Sequence, residues 1–237
     1  MRRSVELFRA FRVEQTDPDR FYGLLARDSV QQVLLHEPLA GKQVLDVGGG
    51  PGYYASEFRQ AGASYVSLDS DLSELSARQQ PGPGSVLGDA LRLPFRSGSV
   101  DVCFSSNLLE HVPSPWVMCD ELVRVTRPGG LVVVGFTNWL SPWGGHETSP
   151  WHYAGGHRAA RRYARRHGRR PKNVYGESLF PVSVGAALRW ARDCPAVQVE
   201  DARPRYYPGA GRAVLAVPGL RELLTWNLLL VLRRGPA

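Results

Sequence analysis

The densest chemical signal in the chain is Asp46-Val47-Gly48-Gly49-Gly50-Pro51-Gly52. The acid and the glycines at 48, 50 and 52 read D-x-G-x-G-x-G. Glycine is needed where backbone takes positive φ or must let a ligand come close. The loop follows an apolar run, Val44 to Val47, and precedes a helical segment expected over Tyr53 to Gln60. A helix start there offers free N–H groups and a positive dipole end. A nicotinamide or flavin reader would show G-x-G-x-x-G. Counted from Gly48, its third glycine is Tyr53; counted from Gly50, the pattern ends at Ala55, which some dinucleotide loops accept. The loop alone leaves a dinucleotide open, while the lysine of a phosphate-binding loop is absent.

Acids follow in order. Asp69 ends a second apolar run, Tyr65 to Leu68. A carboxylate there can accept both ribose hydroxyls of an adenosine. It could instead cap a helix starting at Leu72, a task for which Asp71 is better placed. Gly88-Asp89-Ala90-Leu91-Arg92-Leu93-Pro94-Phe95 follows a short third run, and an acid there can accept a hydrogen bond from an adenine amino group. Phe104-Ser105-Ser106-Asn107-Leu108-Leu109-Glu110-His111-Val112 follows a fourth.

With Pro128-Gly129-Gly130, these ordered segments make residues 44 to 136 resemble the class I S-adenosylmethionine-dependent methyltransferases, in particular the broad family acting on small molecules. The resemblance implies S-adenosyl-L-methionine as cofactor. It implies a Rossmann-like α/β fold with a seven-stranded, mostly parallel, doubly wound sheet whose last strand is antiparallel. It assigns Asp46 and Gly48 to the methionine end of the cofactor, with Gly50 and Gly52 allowing close approach and Tyr53 at the adjoining helix start. Asp69 is assigned to ribose, Asp89 and Ala90 to adenine, and Asn107 to the methionine side. A fainter resemblance, carried by a Trp/His/Arg-rich stretch, is to actinobacterial methyltransferases without an assigned substrate.

Methyl transfer is an in-line displacement at a sulfonium, for which a protein supplies position and sometimes a base. The candidate catalytic residues are His111, His146, Glu147 and His152, with Tyr153 beside them. His111 could equally fix the loop after the fourth strand. Gly144-Gly145-His146-Glu147 is expected on a loop after the fifth strand, where the carboxyl ends of strands face the ligand crevice. A histidine beside a glutamate suits a general base near neutral pH. The Asn-Pro-Pro-aromatic segment of enzymes that methylate amino groups of adenine or glutamine is missing, which leaves oxygen, carbon or amine acceptors open. His146, His152, His157 and His167 lack tight ligand spacing and H-E-x-x-H, so no metal site is expected.

The elements that must position these residues alternate. Strands are expected over Val44 to Val47, Tyr65 to Leu68, Val86-Leu87, Val100 to Ser105, Leu131 to Phe136, Val197 to Tyr206 and Trp226 to Leu232. Helices are expected over Leu72 to Gln79, Pro115 to Thr126 and Val182 to Arg192. This alternation indicates βαβ units and a parallel sheet in a single domain. Pro208, Gly209, Gly211, Pro218 and Gly219 interrupt the last connection, so an antiparallel final strand is expected. Residues 1–40 read as a helical N-terminal segment, with a helix start at Thr16-Asp17-Pro18. Residues 137–178 break the alternation and are expected to form a substrate lid whose Trp139, Trp143, Trp151 and Tyr153 pack on the acceptor.

Charge points to the same insertion. The chain of 237 residues carries a net charge of +7, and seven arginines and one lysine fall between Arg158 and Lys172 without an acid. Leaving those eight out of the 29 Lys and Arg residues gives 21 basic against 22 acidic. The excess is one patch. Arg158, Arg161, Arg162, Arg165, Arg166 and Arg169 recur at three- and four-residue spacing, one stripe on a helix. A solvated face is one reading. The other is a binding surface for an anionic small-molecule or lipid- or sugar-linked acceptor, or for peripheral contact with an acidic membrane. An RNA methyltransferase using this stripe is less favoured, because no recognised RNA-binding module appears. A non-catalytic nucleoside-binding protein on the same fold is the remaining alternative. Three cysteines without CxxC spacing argue against a disulfide framework or structural zinc. No apolar run is long enough to cross a membrane and no secretory signal is evident, so a cytoplasmic location is expected.

Overall fold

The computed structural model describes residues 2–13, 16–77, 82–207 and 209–236. Seven strands form one sheet: β1 (Gln43–Val47), β2 (Ser64–Asp69), β3 (Ser85–Leu87), β4 (Val100–Ser106), β5 (Thr126–Thr137), β6 (Val197–Pro204) and β7 (Asn227–Arg234). Their order is β3-β2-β1-β4-β5-β7-β6. Strands β1 to β5 pair in parallel, and β7 runs antiparallel to both β5 and β6. The chain reverses direction across the sheet between β1 and β4, the switch point at which ligands bind in open α/β sheets.

Eight α-helices are described: α1 (Arg2–Phe11), α2 (Pro18–Leu34), α3 (Ala55–Gln60), α4 (Leu72–Leu75), α5 (Pro115–Val125), α6 (Gly156–His167), α7 (Val184–Asp193) and α8 (Leu220–Leu224). Of these, α2 and α3 cover one sheet face and α5 and α7 the other, which explains why the strands read as near-continuous apolar runs. Val44, Val102, Phe104, Leu131, Val133, Leu229 and Val231 face α2 and α3. The alternate residues Leu45, Val47, Cys103, Val132, Val134, Leu228 and Leu230 face α5 and α7. The cysteines are free, and burial pushes the Cys103 thiol up to about 12. No helix among the described residues is long and apolar enough to cross a membrane.

Several element ends differ from the sequence expectation. The helix expected from Tyr53 begins at Ala55, leaving Tyr53 in the loop. The helix expected to reach Gln79 stops at Leu75; Gln79 and Pro81 lie outside the described residues. Strand β5 begins at Thr126, and Pro128-Gly129-Gly130 lies within it where the register with β4 shifts between Val100 and Val102. The strand expected to Tyr206 ends at Pro204. At the N-terminus, Asp17 caps α2 by accepting from the Arg20 N–H, with Pro18 in the first turn.

The N-terminal segment and the insertion meet at the carboxyl edge of the sheet. Trp143 stacks on Trp226, just before β7, with ring centroids 4.3 Å apart. Phe8 and Phe11 of α1 meet both indoles edge-on. Each such pair adds about 0.5–1.5 kcal/mol beyond area burial. Trp143 is thus taken up by packing within the protein, unlike its expected place against an acceptor.

Candidate active site

The glycine loop joins β1 to α3 at the switch point. Gly48, Gly50 and Gly52 have φ of +80°, +46° and +78°. The N–H groups of Gly48 and Gly49 donate to the Leu68 carbonyl at the end of β2, at 2.8 and 3.3 Å. A Cβ on Gly48 would stand 2.8 Å from the Leu108 side chain, so this position is closed to any larger residue.

Asp46 lies beneath the loop, fully buried. Its Oδ2 accepts from the Tyr65 hydroxyl at 2.5 Å, and its Oδ1 has no hydrogen-bond partner. Burial lifts its pKa to about 7, the Tyr65 bond opposing and the nearby Asp69 charge adding. Asp69 accepts from Gly50 N–H at 3.1 Å and from Asp71 N–H at 3.0 Å. The cap of α4 is Asp71, which accepts from Ser73 N–H at 2.7 Å. Asp69 is therefore not spent on capping, and a carboxylate with about four lone pairs keeps capacity after two bonds. Tyr53 stacks on Tyr22 and donates to Asp19 at 2.9 Å, tying α2 to the loop.

Asp89 is exposed and accepts from Leu91 N–H at 2.8 Å, while Ala90 is buried. Two residues of α5 hold this segment. Glu121 accepts from Leu93 N–H, and the Arg124 guanidinium donates to the Leu93 and Phe95 carbonyls while paired with Glu121. Asn107, after β4, takes a left-handed φ of +57°. Its N–H donates to the Gly135 carbonyl and its Oδ1 accepts from Asn227 Nδ2 at 2.8 Å.

The candidate catalytic residues separate into two groups. His111 and His146 come together, ring centroids 5.1 Å apart, beside Glu110. Glu110 is buried; its Oε1 accepts from Thr137 N–H at 2.9 Å and its Oε2 has no partner. His111 Nδ1 lies 2.7 Å from the Ser178 carbonyl. His146 takes a left-handed φ of +49°, and its buried Nε2 has no partner. Burial lowers the His146 pKa to about 4 despite the Glu110 charge. His152 and Glu147 are engaged elsewhere. His152 is buried, with Nε2 3.1 Å from the Ser141 carbonyl and Nδ1 3.4 Å from Ser149 Oγ. Glu147 is exposed and accepts from Asn173. The expectation of no metal site compared histidines within one stretch of chain; the structure instead places His146 with two residues from the loop after β4.

The insertion places α6 beside this cluster through two 3-10 turns, His146–Thr148 and Trp151–Ala154. The glycine before His146 pair has a steric reason, since a Cβ on Gly144 would collide with the Trp139 carbonyl. Arg158, Arg161, Arg162, Arg165 and Arg166 on α6 are exposed, and none of the described ion pairs includes them. Arg162 lies over the Trp151 ring at 3.8 Å. Gly168 ends α6 in a left-handed conformation, so Arg169 falls beyond the helical stripe expected to include it.

Sequence reasoning missed Arg205. It is almost wholly buried, donating to Ser106 and Ser29 hydroxyls at 2.9 and 2.7 Å with no described carboxylate contact. A cavity of about 780 Å³ lies between α1 and α2, bordered by Arg9, Asp19, Arg20, Leu24 and Arg27; the glycine loop is not part of its wall.

Comparison with known proteins agrees with this arrangement. The family described as "Methyltransferase domain" matches residues 45–134. An uncharacterized methyltransferase of Mycolicibacterium gilvum (strain PYR-GCK) is 53% identical over 241 residues, covering 98% of this chain and 94% of that protein. One from Mycobacteroides abscessus (strain ATCC 19977) is 49% identical with the same coverage. Among solved structures, an S-adenosylmethionine-dependent methyltransferase from Mesorhizobium loti shares the fold with a TM-score of 0.60 at 20% identity, covering 87% of this chain and 96% of that one. The chain belongs to the class I S-adenosylmethionine-dependent methyltransferases and is closely related to a group of actinobacterial members.

Proposed function

We propose that this enzyme methylates a small-molecule acceptor, free or linked to a lipid or sugar, that carries an anionic group. The observation that carries the anionic character is the exposed run of arginines on α6, free of described ion pairs, beside the Glu110–His111–His146 cluster. Like charges crowded on one helix face repel unless a counter-charge arrives, and guanidinium groups bind phosphate and carboxylate bidentately.

The residues of the glycine loop fit S-adenosylmethionine. The buried, unpartnered Asp46 Oδ1 can receive the ammonium of the methionine end, and Gly48 keeps the side-chain space there open only to Leu108. Gly50 and Gly52 let the backbone approach, next to Tyr53. Asp69 retains acceptor capacity for the ribose hydroxyls, Asp89 and Ala90 flank the adenine, and the fixed Asn107 lines the methionine side. The cofactor supplies an electrophilic methyl group: its bond to sulfur breaks as the bond to the acceptor forms, leaving a neutral thioether.

Chain residues orient the acceptor and take away its proton. His111 and His146 stand at the carboxyl edge of the sheet, where that proton would leave. His146, its pKa lowered to about 4 by burial, is too weak a base to hold the proton and can only relay it to solvent. Glu147 and His152 support the loop in this reading.

The test uses S-adenosylmethionine labelled in its methyl group and metabolite and lipid extracts from cells lacking the gene. The wild-type enzyme should transfer the label to a component of the anion-exchange-retained fraction. The variant with Arg161, Arg162, Arg165 and Arg166 changed to Gln should bind S-adenosylmethionine with unchanged Kd and label that component at least about tenfold more slowly. Labelling confined to neutral components, or equal labelling by the variant, would overturn the anionic reading. Salt-dependent binding and labelling of RNA would favour a nucleic-acid acceptor instead.

A further inference from the structure

We propose that Glu110, His111 and His146 form a binding site for one divalent transition-metal ion of the zinc type. The three side chains come from two loops at the carboxyl edge of the sheet. One ligand atom from each lies within 4.8 Å of the others.

Each donor is prepared in its own way. Glu110 is 1% exposed, and its Oε1 is held by the Thr137 N–H. Its Oε2 is left buried without a partner, a state that ordinarily costs about 1–3 kcal/mol or more for a charged group. A carbonyl oxygen can only accept, so the 2.7 Å approach of His111 Nδ1 to the Ser178 carbonyl fixes the proton on Nδ1. That leaves the Nε2 lone pair of His111 for the ion. A backbone carbonyl behind the second ring nitrogen is the usual support of a metal-bound histidine. His146 Nε2 is, after Glu110 Oε2, the second buried and unpartnered polar atom of the cluster. Its left-handed φ of +49° is uncommon outside glycine and recurs at functional sites.

Donor chemistry selects the ion. Two imidazoles and one carboxylate suit zinc, cobalt or ferrous iron, whereas magnesium and calcium demand oxygen donors. Metal–ligand bonds of about 2.0–2.2 Å put neighbouring donors about 3–3.5 Å apart, so binding draws the cluster together by about 1 Å. Three protein donors leave coordination positions open, as in catalytic rather than structural sites. His111 and His146 are only half-buried, which gives the ion and an oxygen ligand a way in. The existence of the site does not depend on the acceptor proposed above. Its use does: an acceptor oxygen bound to the ion would lose its proton more readily than the same group free in water.

The experiment titrates Co2+ into chelator-treated full-length protein, without cofactor or acceptor, and follows the visible d–d absorption. One equivalent should bind, one equivalent of Zn2+ should displace it, and Mg2+ should not. Glu110→Gln and His146→Gln should each weaken Co2+ binding on the order of 100-fold or more, beyond the range typical of outer supporting groups. His167→Gln, on the exposed end of α6, should leave it unchanged. Circular dichroism melts establish that each variant is folded; should Glu110→Gln fail to fold, His146→Gln carries the test. Absence of stoichiometric Co2+ and Zn2+ binding by folded wild-type protein would overturn the proposal. So would equal affinity in the folded variants. Calorimetry with S-adenosylmethionine on the same samples reports separately on the methyltransferase site.

Discussion

Tyr65 donates its hydroxyl to Asp46 across 2.5 Å, in a place where both side chains are buried. This bond stabilises the carboxylate but does not offset its burial, so Asp46 keeps a proton up to about pH 7. The folded pKa lies above the unfolded value of about 3.9. The folded state therefore binds the proton more tightly. The stability this contributes is fully present below about pH 4 and is lost as pH rises through 7.

Asp46→Asn removes that dependence. The variant should gain on the wild type in urea unfolding by about 2–3 kcal/mol between pH 5 and pH 8, at about 1.4 kcal/mol per pKa unit. Its affinity for S-adenosylmethionine should fall. In the wild type that affinity should rise with pH to about 7, because pairing with the cofactor ammonium requires the carboxylate. A stability gap independent of pH would show that Asp46 titrates as an ordinary acid.

Arg124 joins α5 to the segment assigned to adenine. It donates to the Leu93 and Phe95 carbonyls and pairs with Glu121, which itself accepts from Leu93 N–H. Arg124→Ala should leave the sheet intact and raise the Kd for S-adenosylmethionine on the order of tenfold, about 1.4 kcal/mol. Calorimetry decides, and an unchanged Kd would mean that Asp89 and Ala90 do not depend on this brace.

Much of the fold was legible because strands buried on both faces leave unmistakable apolar runs, and Gly or Pro marks where they end. Gly48, Gly50 and Gly52 were legible as a tight turn because positive φ restricts residue choice. The rest depends on contacts between distant segments. Glu110 read as one polar residue after a strand; nothing local announced that His146 would face it. Arg205 follows β6, whose polar alternation looks solvent-exposed in one dimension, yet α2 and the ends of β4 and β5 bury it. Trp143 read as acceptor lining because an aromatic-rich insertion looks the same whether its rings meet a ligand or, as here, Phe8, Phe11 and Trp226.

Arg205 separates the effect of a buried charge from that of buried volume. Its guanidinium donates to Ser29 and Ser106, and its Nε has no partner. Both hydroxyls have other partners, the Leu25 carbonyl and the Tyr54 hydroxyl. Arg205→Met keeps most of the volume and removes the desolvated charge, so it should be neutral or stabilising by about 1–4 kcal/mol. Arg205→Ala opens a cavity and should cost about 2–5 kcal/mol. Urea unfolding of the two variants checks the pair; equal losses would mean that the guanidinium bonds, rather than packing, hold this corner.

Asp69 and Asp71 stand two residues apart and do different work. Asp71 caps α4 through Ser73 N–H, whereas Asp69 accepts from Gly50 N–H of the glycine loop. Asp71→Ala should fray α4, lower Tm by no more than about 2–4 °C and leave the Kd for S-adenosylmethionine unchanged. Asp69→Ala should weaken cofactor binding on the order of 100-fold, since it removes a ribose acceptor and loosens the loop at Gly50 together. Asp69→Asn keeps one oxygen for the Gly50 N–H and should recover part of that loss. The discriminating measurement is the Kd of the three variants beside their melting temperatures. Loss of cofactor binding in Asp71→Ala equal to that in Asp69→Ala would place the ribose contact on the cap of α4 instead.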